Sequence, residues 1–279
     1  MEYVFQVDSE IVNKVRRDSP NYLIESTTGG GNICAIYFSS NDIYYPNNEE
    51  IFRKRIVEKN FYEWYKIRIE AAGKHIFIRD VYKQWYLKGI NSEIDSIEKL
   101  YEFLKAETTG YQIITVGSSA GGYAAVLFGC MLNAIRVLAF NPQFEIQSLT
   151  KRTDESINPL VHRLKNTEVV KYFDLFSAIN FSAANIFYFC SIKSPWDIQQ
   201  YNHIESDGSI HRLCFNTSHH GIPFLKVALS KVLNMPDYQL MQFEHSANLP
   251  LYFTIRCVGL ITTIKGLINQ VIGKYKRRH

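Results

Sequence analysis

Two glycines frame a serine in the stretch GSSAG at 117–121. The pattern G-x-S-x-G is typical of a nucleophilic serine held on a sharp turn between a strand and a helix. Such a turn leaves no room for side chains two residues before and two residues after the serine, so both places require glycine. This spacing selects Ser119. Centring the pattern on Ser118 would put Val116 and Ala120 at the crowded positions.

A serine hydroxyl is a weak nucleophile at neutral pH and needs a base, usually a histidine oriented by a carboxylate. In this arrangement the acid and then the histidine follow the serine, on loops after later strands. Asp197 follows a predicted strand and is the candidate acid, with Asp174 as its rival. His220 is favoured as the base because Gly221 relieves crowding beside it. His219 is the alternative base and a weaker candidate for binding substrate.

Donors for the negative oxygen of an acyl-transfer intermediate are predicted at two places. The first N–H of the helix after the serine, that of Ala120, would be one donor. The loop after the third predicted strand would supply the other. There the backbone N–H groups of Ser39, Ser40 and Asn41, or the Asn41 side-chain amide, are the candidates.

The segment RDVYKQWYLKG follows the fourth predicted strand and brings polar and aromatic side chains to the same edge of the sheet. Arg79, Trp85 and Tyr86 are therefore weaker candidates for binding a sugar. The alternative is that the aromatic side chains pack in the core. No metal site is predicted, because no carboxylate or cysteine stands at ligand spacing from the two adjacent histidines.

Short β-branched and aromatic runs alternate with segments of helical period, which predicts an α/β fold. We expect a mostly parallel central sheet with helices on both faces and a helical excursion or cap at about 145–180, after the sixth strand. The strands are predicted at Tyr3–Val7, Tyr22–Glu25, Ile33–Phe38, His75–Ile78, Gln112–Val116, Ile135–Phe140, Ile186–Cys190 and Arg212–Phe215.

Connections between these strands predict three local structures. The flexible stretch TTGGGN predicts that the second and third strands form an antiparallel hairpin at one edge. A helix is predicted near Glu49–Ala72. Another is expected to open with Asn91 or Ser92 as its cap and to end at Gly110.

The composition predicts one large globular domain or a domain with insertions, since 46% of the 279 residues are hydrophobic, and we place this domain at 1–240. The net charge of +4 is mild and its basic residues are scattered, so nucleic-acid binding is not expected. Five cysteines without a CxxC pair, and no signal peptide or transmembrane stretch, favour a cytoplasmic protein.

A C-terminal basic amphipathic helical segment is predicted at 241–279. Between Leu251 and Ile272 apolar residues recur at helical spacing, and basic residues follow. Such a helix would contact a partner or an anionic membrane at its cytoplasmic face. The alternative is a terminal helix packed on the body of the protein.

Four motifs in order resemble those of the α/β-hydrolase-like proteins of bacterial capsule and surface-polysaccharide biosynthesis clusters. They are a strand ending FSS, the segment RDVYKQWYLKG, GSSAGGYAAVLFG followed by a strand ending AFNPQ, and a late HHG. The resemblance covers roughly residues 33–235 and implies an O-acetyltransferase-like protein, in some members one that uses acetyl-CoA. It also implies Ser119 as nucleophile, Asp197 as acid, His220 as base and the loop at 39–40 as an oxyanion contributor.

The sequence thus predicts acyl transfer through a serine ester on a bacterial surface glycan. If a sugar hydroxyl resolves the ester, the protein is an O-acetyltransferase, and if water does, it is a carbohydrate esterase. No cofactor is expected to stay bound, with acetyl-CoA as the candidate acyl donor. The alternative is a non-catalytic protein of the same fold that serves as a scaffold in a polysaccharide assembly complex.

Overall fold

The computed structural model describes residues 3–27, 30–204, 210–244 and 246–275. A seven-stranded sheet lies at its centre. The strands are β1 (Tyr22–Ser26), β2 (Gly31–Phe38), β3 (Ala72–Ile78), β4 (Gln112–Ser118), β5 (Arg136–Phe140), β6 (Ile186–Ser191) and β7 (Ile210–Phe215).

The strand order is β1-β3-β2-β4-β5-β6-β7, and β1 runs antiparallel to β3 while the other neighbours are parallel. This confirms the prediction of a mostly parallel central sheet in an α/β fold. The prediction that β1 and β2 form a hairpin is wrong. The antiparallel partner of β1 is β3, with Tyr22 opposite Ile78, and β2 lies between β3 and β4. The reason is burial: most of β2 is buried, which suits a central strand, whereas β1 is only half-buried.

Helices cover both faces of the sheet. They are α1 (Phe5–Asp8), α2 (Glu10–Asp18), α3 (Glu49–Phe52), α4 (Ile97–Glu107), α5 (Ala120–Met131), α6 (Leu149–Arg152), α7 (Pro159–Leu164), α8 (Phe176–Asn180), α9 (Pro195–His203), α10 (Leu229–Leu233), α11 (Asp237–Met241), α12 (Pro250–Val258) and α13 (Leu260–Tyr275). Alternate residues of β2 show the two layers. Ile36 and Phe38 share one core with α4 and α5, while Ala35 and Tyr37 share the other with α10 and α12.

The predicted first strand, Tyr3–Val7, is wrong, because this stretch contains helix α1. The Asp8 carboxylate accepts a hydrogen bond of 2.8 Å from the N–H of Val4, the residue that precedes the helix. A side chain that satisfies an end N–H group in this way stabilises a helical turn that hydrophobic pattern alone does not reveal.

A single helix over Glu49–Ala72 is also wrong. A π-helical turn at Arg53–Glu58 continues α3, and the chain then leaves the helix at Asn60, whose φ of +43° is a left-handed value that asparagine tolerates. Beyond it, Trp64 is buried and donates a hydrogen bond of 2.8 Å to the Phe38 carbonyl. The aromatic half of the predicted helix is therefore a loop packed on the core.

Helix α4 begins later than predicted. Its cap is Ser96, whose hydroxyl accepts from the N–H of Lys99 at 3.2 Å. Asn91 instead closes a turn, since its side-chain oxygen accepts from the N–H groups of Glu93 and Ile94.

Residues 145–180 form the expected excursion of short helices, α6 to α8. It follows the fifth strand rather than the sixth, because Tyr3–Val7 is not a strand. An antiparallel bridge joins Glu145 to Asp174, so the two ends of the excursion meet. Leu160 of α7 packs in the same core as α5, which makes the excursion part of the domain's packed layer.

Among the described residues, the predicted C-terminal amphipathic segment contains two helices, α12 and α13, which meet at Gly259 with a φ of +80°. The basic residues predicted at 276–278 lie outside the described residues. Phe253 of α12 is 1% exposed, and its ring lies 4.9 Å from that of Phe215 and 5.0 Å from that of Phe224. Helix α12 is thus packed on the body. Across the described residues, no helix combines the length and apolar character needed to cross a membrane.

Candidate active site

Ser119 lies on the sharp turn between β4 and α5. Its φ and ψ of +54° and −123° fall in a region that non-glycine residues rarely adopt. A Cβ at Gly117 would lie 1.9 Å from the Gly121 carbonyl oxygen, and one at Gly121 would lie 2.3 Å from that of Phe38. Only glycine fits at either position, which is the steric requirement expected from the sequence.

The imidazole of His220 bridges this serine and a carboxylate. Its Nε2 lies 2.8 Å from Ser119 Oγ, and its Nδ1 lies 2.8 Å from Asp197 Oδ1. An ionised carboxylate can only accept, so Nδ1 carries the hydrogen and Nε2 accepts from the serine hydroxyl. The turn that positions the ring needs Gly221, whose φ is +99°.

Asp197 lies in the first turn of α9, immediately after β6. Its side chain is fully buried, and the Ser194 hydroxyl caps the helix by accepting from the Asp197 N–H at 3.4 Å. Within the described chain, Asp197 Oδ2 has no hydrogen-bond partner, so the carboxylate bonds only to His220. The positive end of α9 and the imidazole N–H are the two features that stabilise its negative charge.

The two rival residues lie elsewhere. Asp174 bonds instead to His203 Nε2 at 3.0 Å. His219 is exposed, and its backbone oxygen accepts from the Ser191 hydroxyl at 2.6 Å. The structure therefore brings His220 and Asp197 to the serine, and not their rivals.

Asn141 and Ser191 hold the histidine loop, and sequence reasoning missed both. Asn141 is fully buried with a φ of +42°, and its Nδ2 donates to the Gly221 carbonyl oxygen at 2.8 Å. Its Oδ1 accepts from the Ser191 N–H at 2.8 Å. The ends of β5 and β6 thus fix the loop that carries His220. An asparagine directly before Pro142, at a strand end, was the available signal.

Trp196 is a further residue that the sequence did not single out. Its ring stacks on the His220 imidazole, with centroids 5.9 Å apart and planes 9° apart. The indole is 38% exposed and so forms one wall beside the Ser119–His220 pair. Stacking restricts rotation of the imidazole and presents an apolar surface to any bound substrate.

The predicted oxyanion loop is only partly available. The Ser39 N–H donates to the Ile78 carbonyl oxygen at 3.0 Å within the sheet edge, which contradicts its prediction as a backbone donor. The Ser40 N–H donates to Glu63 Oε2 at 2.5 Å. Asn41, at the start of a 3-10 turn, and Ala120, at the start of α5, are the remaining candidates.

Glu63 is a half-buried carboxyl that touches this loop. Burial raises its pKa above the usual value, and the hydrogen bonds from Ser40 oppose that rise. An acidic group is thus bound to one of the N–H groups predicted to face the reacting oxygen.

The prediction that Arg79, Trp85 and Tyr86 contact substrate at the rim is wrong, because their exposed fractions are 1%, 2% and 1%. Arg79 donates to the Asn21 side chain, and Trp85 Nε1 donates to the Gln143 side chain, both at 3.0 Å. The Tyr86 hydroxyl donates to the Ser39 carbonyl oxygen at 2.8 Å and so stabilises the loop that begins at Ser39. In the part of the chain that the structure describes, only Tyr86 of the three bonds to a residue of the candidate site.

No family model matches the sequence, and no curated protein matches it. Solved structures of similar fold include the capsule O-acetyltransferase of Neisseria meningitidis serogroup A, with 17% identity and a TM-score of 0.45, over 65% of this chain and 74% of that chain. A mutant of that enzyme in complex with CoA has 16% identity and a TM-score of 0.44, over 68% of this chain and 84% of that chain. An acetyl xylan esterase from Paenibacillus sp. R4 has 12% identity and a TM-score of 0.43, over 75% of each chain. Similarity this low leaves the activity undetermined.

Proposed function

We propose that this protein is a serine-dependent acyl-transfer enzyme. The observation that carries the proposal is the continuous chain of two 2.8 Å hydrogen bonds from Asp197 through His220 to Ser119. A hydroxyl on a strained turn, a base in contact with it and a buried acid behind the base are the parts that nucleophilic catalysis by serine requires.

In the first half-reaction, Ser119 Oγ attacks the acyl carbonyl carbon while His220 Nε2 takes the hydroxyl proton. The carbonyl electron pair moves to oxygen, and the N–H groups of Ala120 and Asn41 donate to that oxygen. When the carbonyl re-forms, the donor's leaving group departs and takes the proton from His220. Asp197 stabilises the positive imidazolium throughout, because its carboxylate accepts from Nδ1.

In the second half-reaction, an acceptor hydroxyl attacks the serine ester and His220 takes its proton. The proton then returns to Ser119 as the acyl group leaves. If the acceptor is a sugar hydroxyl, the product is an O-acylated glycan, and if it is water, the reaction is hydrolysis. The exposed face of Trp196 beside His220 supports a sugar acceptor, since aromatic rings stack on the apolar faces of sugars.

The sequence resemblance supports a bacterial surface glycan as the acceptor and acetyl-CoA as the acyl donor. Thioester cleavage would release CoA thiol and leave an acetyl group on Ser119. The enzyme would then be an O-acetyltransferase. An esterase that removes the same acetyl group would use the same residues with water as acceptor.

A fluorophosphonate probe tests the nucleophile. We expect labelling of the wild type and of Ser118→Ala, and none of Ser119→Ala. Ser118 is the matched control because it is the adjacent serine, buried at the end of β4. If the wild type and Ser119→Ala are equally unlabelled, the proposal is wrong and the protein is the non-catalytic scaffold.

Acetyl-CoA and surface-glycan fragments distinguish the two reactions. A transferase releases CoA much faster when the glycan is present and adds one acetyl group to it, which mass spectrometry detects. An esterase releases acetate from a chromogenic acetyl ester at the same rate with or without the glycan. Ser119→Ala should abolish either activity, by about a thousandfold or more.

A further inference from the structure

Helix α13 presents a row of large apolar side chains to solvent. Leu260, Ile264, Ile268 and Ile272 are four residues apart and are 57%, 47%, 52% and 48% exposed, and Ile261 beside them is 71% exposed. Residues four apart lie along one face of a helix. These five side chains form an apolar stripe.

The opposite face of α13 is fixed on the body, so the helix cannot roll to bury the stripe. Thr263 on that face is 1% exposed. Gly266 approaches so closely that a Cβ there would lie 2.8 Å from the Val227 side chain. Helix α12 is held as well, since Thr254 Oγ1 accepts from the Leu225 N–H at 3.3 Å. The stripe is therefore a surface built on a packed helix.

The charged residues of the segment that carries the stripe are all basic. Between Leu251 and the last residue, His279, the sequence contains no aspartate or glutamate. It contains Arg256, Lys265, Lys274, Lys276, Arg277 and Arg278. Arg256 and Lys265 are exposed, and Lys265 follows Ile264 directly on the helix. This charge complements an anionic surface, and it disfavours a second copy of the same face through like-charge repulsion.

Helix α13 packs on the connection that follows β7. Val227, on which Gly266 packs, belongs to the same connection after β7 that carries His220. The face of α13 opposite the stripe is thus joined to the chain segment that carries His220.

We propose that α13 docks this protein on an anionic lipid bilayer. The apolar stripe enters the boundary between headgroups and acyl chains, and the basic side chains contact the lipid phosphates. The helix lies in the plane of the interface. Docking in this way does not depend on the chemistry of Ser119, so its test is separate from that of the proposed function.

Vesicle sedimentation tests the proposal with the full chain. We expect it to sediment with vesicles of phosphatidylcholine mixed with phosphatidylglycerol, at least about tenfold more strongly than with phosphatidylcholine alone. Raising the salt concentration should weaken the binding, because it screens the charge. In the double variant Ile264→Glu, Ile268→Glu the partition coefficient should fall by about tenfold or more.

Ile157→Glu is the matched control, since Ile157 is also an exposed isoleucine, at 59%, but lies in the excursion before α7. It should bind vesicles like the wild type. All three proteins should show the same circular dichroism melting, so that loss of binding is not loss of fold. Equal binding by the double variant and the wild type overturns the proposal. A wild-type protein that does not bind anionic vesicles also overturns the proposal. This includes the case in which light scattering shows that the wild type is a dimer and the double variant is a monomer.

Discussion

Asp197 Oδ1 lies 2.8 Å from His220 Nδ1, at the end of a carboxylate that is fully buried. Asp197→Asn keeps the shape of the side chain but replaces the charge with an amide, which favours the wrong tautomer of the imidazole. We expect kcat to fall by about four orders of magnitude, as in other serine enzymes. Asp174→Asn is the control, because Asp174 pairs with His203. Steady-state kinetics on an acetyl ester measures both, and equal rates for the two variants would exclude Asp197 as the acid.

The stack of Trp196 on His220 gives a second prediction. Trp196→Ala removes a flat surface that restrains the imidazole, so kcat should fall by about tenfold. Trp196→Phe keeps a stacking ring and should retain most of the rate. Separate values of kcat and KM are needed, because a loss confined to KM would show that the indole only binds substrate and does not position the base.

The serine turn is expected to be intolerant of any side chain at Gly117. In Gly117→Ala the new Cβ would lie 1.9 Å from the Gly121 carbonyl oxygen, so the backbone must move. We expect the free energy of unfolding to drop by more than about 3 kcal/mol, together with loss of fluorophosphonate labelling.

Gly110→Ala provides the comparison. Gly110 has a φ of +83° and no atom within 4 Å of an added Cβ, so its cost is limited to backbone strain of about 1 to 2 kcal/mol. Urea unfolding measures both variants. Similar losses at the two positions would show that crowding at the turn is not the reason for glycine at 117.

The sequence predicted the serine turn well because the reasons for it are local. Gly117 and Gly121 are required by atoms of the turn itself and of the adjacent strand end, and Gly221 by the turn beside His220. The choice of His220 over His219 rested on the adjacent Gly221, whose φ of +99° is the local reason for glycine at that position. The sheet followed from alternating patterns that depend on burial alone.

Tertiary contacts decide what the sequence could not predict. Glu63 lies on a connection that was predicted from helical spacing to be one long helix. That prediction gave no reason to expect its carboxylate beside the Ser40 N–H. Tyr86 follows a strand as a rim residue would, yet its hydroxyl bonds to a buried carbonyl. Trp196 adjoins Asp197, and its stacking on His220 exists only once β6 and β7 are side by side.

Glu63 gives a prediction about pH. Burial raises the pKa of its carboxyl in the folded protein, so the folded state binds the proton more tightly than the unfolded chain does. Stability is therefore lost as the pH rises from the usual value for glutamate through the raised one. Glu63→Gln cannot ionise and still accepts from the Ser40 N–H. We expect it to melt at a higher temperature than the wild type near pH 8, and the difference to vanish near pH 4.

Circular dichroism melting at the two pH values measures this effect. Glu70→Gln is the control, because Glu70 is exposed on the same connection, and its substitution should change the melting temperature little at either pH. A wild type that is more stable than Glu63→Gln near pH 8 would contradict the prediction. It would mean that the ionised carboxylate gains more from the Ser40 N–H than it loses by leaving water, so that its charge stabilises the loop.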